Sequence, residues 1–324
     1  MKIQRLFFPD KGRCEVEELQ LDEKLAPGEV LLKTRTSLIS AGTELAMFTR
    51  SHRGFDEPDF GYAKYPFKAG YLAVSEVVAS NAELKQGARV FSSGYHATYS
   101  KDKAEHVKPI PDGLIDEHAA FFGLLEISMT APRLAPVRAG GNVVVIGMGI
   151  VGNLCGQIYN ACGAGIVAGA DLSEKRLATA AVCGIGKGFC TANKPLMECV
   201  KELGPRGAEL IVEAVGNSRT ISDAMKSCAQ KGRVVLLGSP RTKMEIDPYF
   251  DIHRTGISVI GAHGCNVDDA THKQDMPLLM DWLRTGKIKV APLITQRMPF
   301  AEGLKGYQGL RDKTDEYLGV ILTY

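Results

Sequence analysis

Residues 142–163 read NVVVIGMGIVGNLCGQIYNACG, and the fold turns on how that stretch is parsed. NVVVI is a continuous apolar, β-branched run, the signature of a strand buried on both faces. Gly147, Gly149 and Gly152 follow it in the spacing G-x-G-x-x-G and lead into the apolar, helix-length NLCGQIYNACG. The glycine spacing alone is a weak signal, but the strand–turn–helix context gives each glycine a task. Gly147 permits the tight turn, Gly149 lets a pyrophosphate approach the backbone, and Gly152 permits close helix packing. Ile150 and Val151 open a helix whose free N–H groups and positive dipole end face the phosphates. The alternative is that the glycines only permit tight packing of helix on strand.

The next apolar run, GIVAGAD (165–171), ends in Asp171, 24 residues after Gly147. That is where an acidic residue is expected to bind the adenosine ribose hydroxyls; a helix N-cap is its other reading. Leu172 and Ser173 follow, and the first arginine is Arg176, so a ribose 2′-phosphate would meet a carboxylate with little compensating charge. The cofactor expected is NAD rather than NADP.

Working outward, ELIVEAV (209–215), RVVLLGS (233–239) and SVIGAHG (258–264) repeat the buried-strand pattern, while EKRLATAAV (174–182) and RTISDAMKSCAQ (219–230) have helical spacing. This alternation predicts a parallel, doubly wound sheet with right-handed crossovers. Ligands of such sheets bind beyond the carboxyl ends of strands, so Val215, Gly216, Gly238 and Ser239 are candidate wall positions for the nicotinamide half, or equally ordinary turn residues. After residue 265 the pattern is helix, strand, helix (276–307), then the strand-like YLGVILTY (317–324).

Residues 1 to about 118 have a different texture. EVLLKTRTSLI (29–39), YLAVSEVVAS (71–80) and ARVFSS (88–93) are short β-type runs set off by glycine or proline, which predicts a barrel or sandwich. Between them, residues 49–70 are rich in aromatic residues without periodicity, as in a loop that lines a pocket. A chain of 324 residues that is 45% apolar holds two domains of ordinary size. Its 39 Lys and Arg against 37 Asp and Glu give a net charge of +2, which provides no field for nucleic acid or an anionic membrane and favours a small-molecule partner. The eight cysteines, six of them between 155 and 228, form no C-x-x-C pair and read as small buried hydrophobes in a reducing compartment. MKIQRLFFPD has too short an apolar stretch for a signal peptide and no run is long enough to span a membrane, so a cytoplasmic location is expected.

With these pieces assembled, the chain resembles the medium-chain dehydrogenase/reductase superfamily, whose zinc-type alcohol dehydrogenases are the best-known members. The resemblance runs through PGEVLLKTRTSLISAGTE, GARVF, IPDGLIDEHAAFFGLLEISMTAP, VVVIGMGIVGN, GADLSEKRLATA, VEAVGN, GRVVLLG and GKIKVAPLITQRMPF. It implies an α/β architecture: a GroES-like β-barrel catalytic domain (1–120 and 266–324) joined to a Rossmann dinucleotide-binding domain (121–265). A homodimer through the edge strand SVIGAHG is a further implication.

Departures from the pattern matter as much. The zinc enzymes carry ligands in a C-G-T-D-like loop, in a G-H-E motif and 24 residues before the nucleotide loop; here those places hold Ala41-Gly42-Thr43-Glu44, Gly70-Tyr71-Leu72 and Gly123. Alanine, tyrosine and glycine cannot build a catalytic zinc site, and the cysteine-rich structural lobe is missing too, so no metal is expected. ISAGTE together with AGY is similar to the zinc-free branch that includes bacteriochlorophyllide hydroxyethyl dehydrogenase.

By that resemblance the chain is an NAD-dependent, zinc-independent oxidoreductase that interconverts a secondary alcohol (a polyol, cyclitol or hydroxyalkyl group) and a ketone. Without zinc, a hydrogen-bonding side chain must polarise the reacting oxygen. Tyr71 and Thr43 are the candidates for that oxygen, with Glu44 orienting them or receiving the proton. Each has a structural alternative: Tyr71 as a packed aromatic, Thr43 as a helix-start residue, Glu44 as a helix cap. Glu126 is unexpected within FFGLLEIS, whereas Tyr95, His96 and His118 are expected at the surface. Arg50, His52, Arg53, Lys64 and Lys68 would suit an anionic substrate, but Asp56, Glu57 and Asp59 share their loop. Competing functions are a zinc-free enoyl or quinone reductase using NADPH, and an NAD(H)-binding sensor without turnover.

Overall fold

The computed structural model describes residues 1–57 and 59–324; of the aromatic loop, Pro58 therefore lies outside the described residues. They divide into two compact units, Met1–Gly123 with Ile294–Tyr324, and Leu124–Leu293.

In the second unit, a parallel sheet of six strands among the described residues runs Lys187–Cys190, Ile166–Asp171, Asn142–Ile146, Ala208–Glu213, Cys228–Leu236, Ser258–Gly261. Counted from the glycine-loop strand the order is 3-2-1-4-5-6, the dinucleotide-binding arrangement. The valine run dictates this position. Val143, Val144 and Val145 are fully buried, and successive side chains enter different cores: Val143 and Val145 join Leu210 and Val212, while Val144 joins Ala168 and Ile211. A strand sealed on both faces belongs in the middle of a sheet, and each buried valine contributes about 1.5–3 kcal/mol relative to exposure. Helix Glu174–Val182 has the extent read from sequence. The predicted helix 219–230 is shorter, Ser218–Ser227, because Cys228 already pairs with Ala208 as the start of the next strand.

Residues 266–293 correct the expected domain boundary. They belong to the second unit, where Arg133 forks onto Asp275 of helix Asp269–Thr285 and the Gln157 side chain accepts from Lys289 N at 2.7 Å while donating to Lys289 O at 3.0 Å. Only the segment from Ile294 onward joins the first unit.

The first unit is β-rich. Strand Lys2–Phe8 pairs antiparallel with Glu15–Gln20 and Phe67–Lys68. A larger sheet runs Ile294–Pro299, Gly319–Thr323, Glu29–Leu38, Ala73–Ser80, Arg89–Ser92, Lys108–Pro109, with Tyr99–Lys103 also on Glu29–Leu38. One core gathers Val30, Leu32, Val77 and Val90. The other holds Phe8, Phe48 and Tyr307, whose ring centroids are 4.9 to 5.5 Å apart in two edge-to-face contacts and one stacked contact.

No disulfide forms among the cysteines; Cys14, Cys155, Cys183 and Cys199 are buried as expected, but Cys162 and Cys265 are exposed. Among the described residues no helix is long and apolar enough to cross a membrane.

Candidate functional site

The glycine turn of the second unit sits at the carboxyl end of Asn142–Ile146, next to Ala208–Glu213, where the strand order reverses. Gly147 has φ +92°, the left-handed region, and a Cβ there would also strike Val215 Cγ2 at 2.6 Å. At Gly152 a Cβ would overlap the Gly147 carbonyl oxygen, so helix Ile150–Ala161 reaches this close only with glycine. Gly149 caps that helix with open space where its side chain would be. Buried Ile150 and half-buried Val151 begin the helix, placing its free N–H groups at the turn.

Asp171 ends the neighbouring strand and is half-buried. Its Oδ2 accepts from Met148 N inside the glycine turn at 2.7 Å, and Oδ1 accepts from Ser173 N at 2.9 Å. The N-cap of helix Glu174–Val182 is Ser173, not Asp171. Asp171 therefore ties the turn to the second strand, with lone pairs remaining for hydroxyl donors.

A second carboxylate, Glu213, organises the facing turn and was not singled out from sequence. It is fully buried and accepts from Val215 N (2.9 Å), Gly216 N (2.9 Å) and Thr220 Oγ1 (2.7 Å). Burial raises its carboxyl above the usual range despite these bonds. Gly216 and Gly238 are buried against each other, a Cβ on Gly238 meeting Gly216 N at 2.5 Å, so the packing requires a glycine at 238. Val215, 46% exposed, and Ser239, exposed, are the members of this group that face outward.

In the first unit, Thr43 and Glu44 open the short helix Thr43–Phe48, and Tyr71 follows Gly70, whose φ is +99°. The Tyr71 hydroxyl lies 2.5 Å from Ser40 Oγ, with Thr43 nearby. Burial pushes the Tyr71 phenol up to about 12, the two hydroxyl contacts oppose this, and the nearby Glu44 charge adds to it. Glu44 is fully buried and points elsewhere: it accepts from Ser40 N (2.9 Å), from His96 Nε2 (3.0 Å) and from Tyr307 Oη. Its carboxylate thus reaches Tyr71 only through Ser40. His96, expected at the surface, is completely buried, with Nδ1 2.7 Å from Ser37 Oγ, which in turn is 2.9 Å from the Tyr324 hydroxyl. Both ring nitrogens are thus hydrogen-bonded, as a buried imidazole requires. Tyr95 is exposed as expected, with Arg5 and Lys68 each 5.6 Å from its ring centroid.

The positions that the resemblance assigns to zinc ligands do not fit that metal. Ala41 has no donor, and Gly123 has no room for one, because a Cβ there would meet Leu72 Cδ2 at 2.6 Å and Phe91 Cζ at 3.0 Å. Among the described residues no group of three or more His, Cys, Asp or Glu side chains is placed to hold a metal ion.

A parallel 3-2-1-4-5-6 sheet with a glycine turn at its switch point, in a chain whose other unit is a β-sheet unit that includes residues 294–324, is an α/β fold of the medium-chain alcohol dehydrogenase type. Residues 150–285 match the family model described as zinc-binding dehydrogenase. L-threonine 3-dehydrogenase of Bacillus licheniformis is 30% identical over 223 residues, which is 68% of this chain but 63% of that protein's length. Galactitol-1-phosphate dehydrogenase of Escherichia coli superposes with a TM-score of 0.85 at 21% identity, covering 99% of this chain and 100% of that one. A protein described as a zinc-binding dehydrogenase from Sinorhizobium meliloti 1021, bound to NADP, superposes at 0.84 with 19% identity over 100% of both chains.

Proposed function

We propose that the protein is a zinc-independent, NAD-dependent oxidoreductase that interconverts a secondary alcohol and a ketone. What carries this reading is Asp171 anchored to the glycine turn at the sheet's switch point, beside a helix N-terminus. The second unit would hold the dinucleotide at Gly147, Gly149, Ile150, Val151, Gly152 and Asp171, with Val215 and Ser239 as wall residues on the exposed side. Asp171 would accept the ribose hydroxyls and repel a 2′-phosphate, which favours NAD; the NADP in the Sinorhizobium structure marks the alternative. Bound nicotinamide supplies the hydride acceptor.

The first unit would handle the oxygen. The Tyr71 phenol stays protonated at working pH because burial raises it, so it donates a hydrogen bond to a carbonyl and stabilises a developing alkoxide. Ser40 fixes its direction, and Thr43 would add a second hydroxyl to the path of its proton. Glu44 acts behind them as an orienting charge. The names of the B. licheniformis and E. coli relatives, both dehydrogenases of hydroxyl-bearing substrates, agree with a polyol or other secondary alcohol. The absence of donors at positions 41 and 123 aligns the chain with the zinc-free branch of the superfamily. The edge strand Ser258–Gly261, with Val259 40% exposed, would pair two copies.

The test is titration with NADH and NADPH, followed by assay of NAD with a panel of secondary alcohols and polyols and of NADPH with enones and quinones. Preference for NADH together with alcohol oxidation supports the proposal. Turnover only on a C=C bond with NADPH makes the protein a reductase, and tight NADH binding without turnover makes it a sensor. One tightly held zinc per chain by elemental analysis would overturn metal independence.

A further inference from the structure

Of the buried polar chain behind Tyr71, only Ser40 and Glu44 have a place in the proposed chemistry; His96 and Ser37, which continue it, have none. Glu44, His96 and Ser37 are each 0% exposed and Ser40 is 2% exposed, and Glu44 and His96 are the buried ionisable pair of a β unit whose other buried polar side chains are hydroxyls. Enclosing an acid, an imidazole and several hydroxyls is a poor source of stability, because apolar groups of equal volume do as well or better. Such a cluster fixes directions instead.

The directions can be followed atom by atom. Ser40 is clamped at both ends of its peptide: its carbonyl accepts from Glu44 N at 3.1 Å and its N–H donates to Glu44 Oε1 at 2.9 Å. The Glu44 carboxylate is aimed by His96 Nε2 and Tyr307 Oη on its other oxygen. The His96 ring is held by Ser37 at Nδ1, and its backbone is pinned on both sides, His96 N to Ala69 O and Leu6 N to His96 O, each 2.8 Å. Gly70, next to Tyr71, packs so tightly on the Tyr95–His96 peptide that a Cβ would overlap His96 N. The ring that orients Glu44 and the backbone that presents Tyr71 are thus one rigid piece.

We infer that His96 is a positioning residue for Tyr71: by holding Glu44 against the Ser40 turn, it fixes the line along which Ser40 Oγ hydrogen-bonds the Tyr71 hydroxyl. Ser37 and Tyr324 extend the same support. This rests on the reading that Tyr71 handles the substrate oxygen.

The experiment compares His96→Leu, His96→Gln and Ser37→Ala with the wild type. Rates are normalised to folded protein by NADH-binding stoichiometry, and 3-fluorotyrosine is incorporated so that the Tyr71 fluorine resonance, assigned by its loss in Tyr71→Phe, reports the hydroxyl's hydrogen bond without turnover. His96→Leu should lower kcat about tenfold, the loss of roughly one hydrogen bond's worth of orientation. NADH affinity should be unchanged and the Tyr71 resonance should shift. His96→Gln, which still offers Glu44 an N–H, should recover most of the rate, and Ser37→Ala should fall between. A folded His96→Leu with wild-type kcat and an unmoved resonance overturns the inference; if that variant does not fold, an unmoved resonance in Ser37→Ala does so. A shifted resonance in a protein that oxidises no alcohol upholds the positioning and refutes the functional reading instead.

Discussion

Replacing Asp171 by asparagine separates two tasks that one carboxylate performs. The wild-type side chain accepts two backbone N–H bonds, from Met148 at 2.7 Å and Ser173 at 2.9 Å. Asparagine offers one oxygen where aspartate offers two, so one of these donors loses its partner. A hydrogen bond to a charged group contributes about 1.5–3 kcal/mol, and for a unit of this size each kcal/mol moves the melting temperature by about 2–4 °C, giving a fall of about 3–12 °C. The cofactor sees the same deficit: a carboxylate accepts both ribose hydroxyls and an amide oxygen accepts one. NADH should bind about 10- to 100-fold more weakly, while NADPH should lose much less because the repelling charge is gone. Thermal melts give the first quantity and NADH and NADPH fluorescence titrations the second. If the melting temperature falls but NADH affinity is unchanged, Asp171 serves only the turn and the nucleotide assignment is wrong.

Three further outcomes are expected. Tyr71→Phe should lower turnover by about 100-fold, the usual scale for a positioned acid, with NADH affinity intact, and because the phenol lies near 12 the wild-type rate should show no Tyr71 inflection below about pH 11. Glu213→Gln should gain melting temperature relative to wild type as the pH rises from 4 to 7: a carboxyl raised by burial keeps its proton longer in the folded state, so its contribution is full below the unfolded value of 4.5 and is lost as pH climbs through the raised value. A parallel pH dependence of the two proteins would remove that burial effect. Gly152→Ala should abolish NADH binding in whatever fraction folds, since its methyl would occupy the space of the Gly147 carbonyl; wild-type affinity in a soluble Gly152→Ala protein would show that the turn can relax.

The parallel-sheet unit was legible because its evidence is local: a valine run, glycines at fixed spacing and an acid at the next strand end all lie within residues 142–171. What escaped reading is held by distant partners. His96 meets Glu44 52 positions away and Tyr307 meets it from 263 positions away, and neither pairing leaves a periodic trace. The same limit hid the boundary at residue 294, since helix Asp269–Thr285 is amphipathic whichever core it covers and its placement shows in distant pairs such as Arg133–Asp275 and Gln157–Lys289. Glu213 looked like part of a strand, and its role emerges once the turn bends two N–H groups back onto it.

The strand Gly319–Thr323 lies inside the first unit's large sheet, flanked by Glu29–Leu38 and Ile294–Pro299, with Val320, Ile321 and Leu322 fully enclosed. Thr36 Oγ1 bonds the Leu322 carbonyl across 286 positions. A ribosome therefore releases the opening strands long before their neighbour exists, while the Rossmann unit, contiguous in sequence, is already able to close. The β unit must wait with an unfilled slot, and its long-range pairing is expected to make its assembly the slower step.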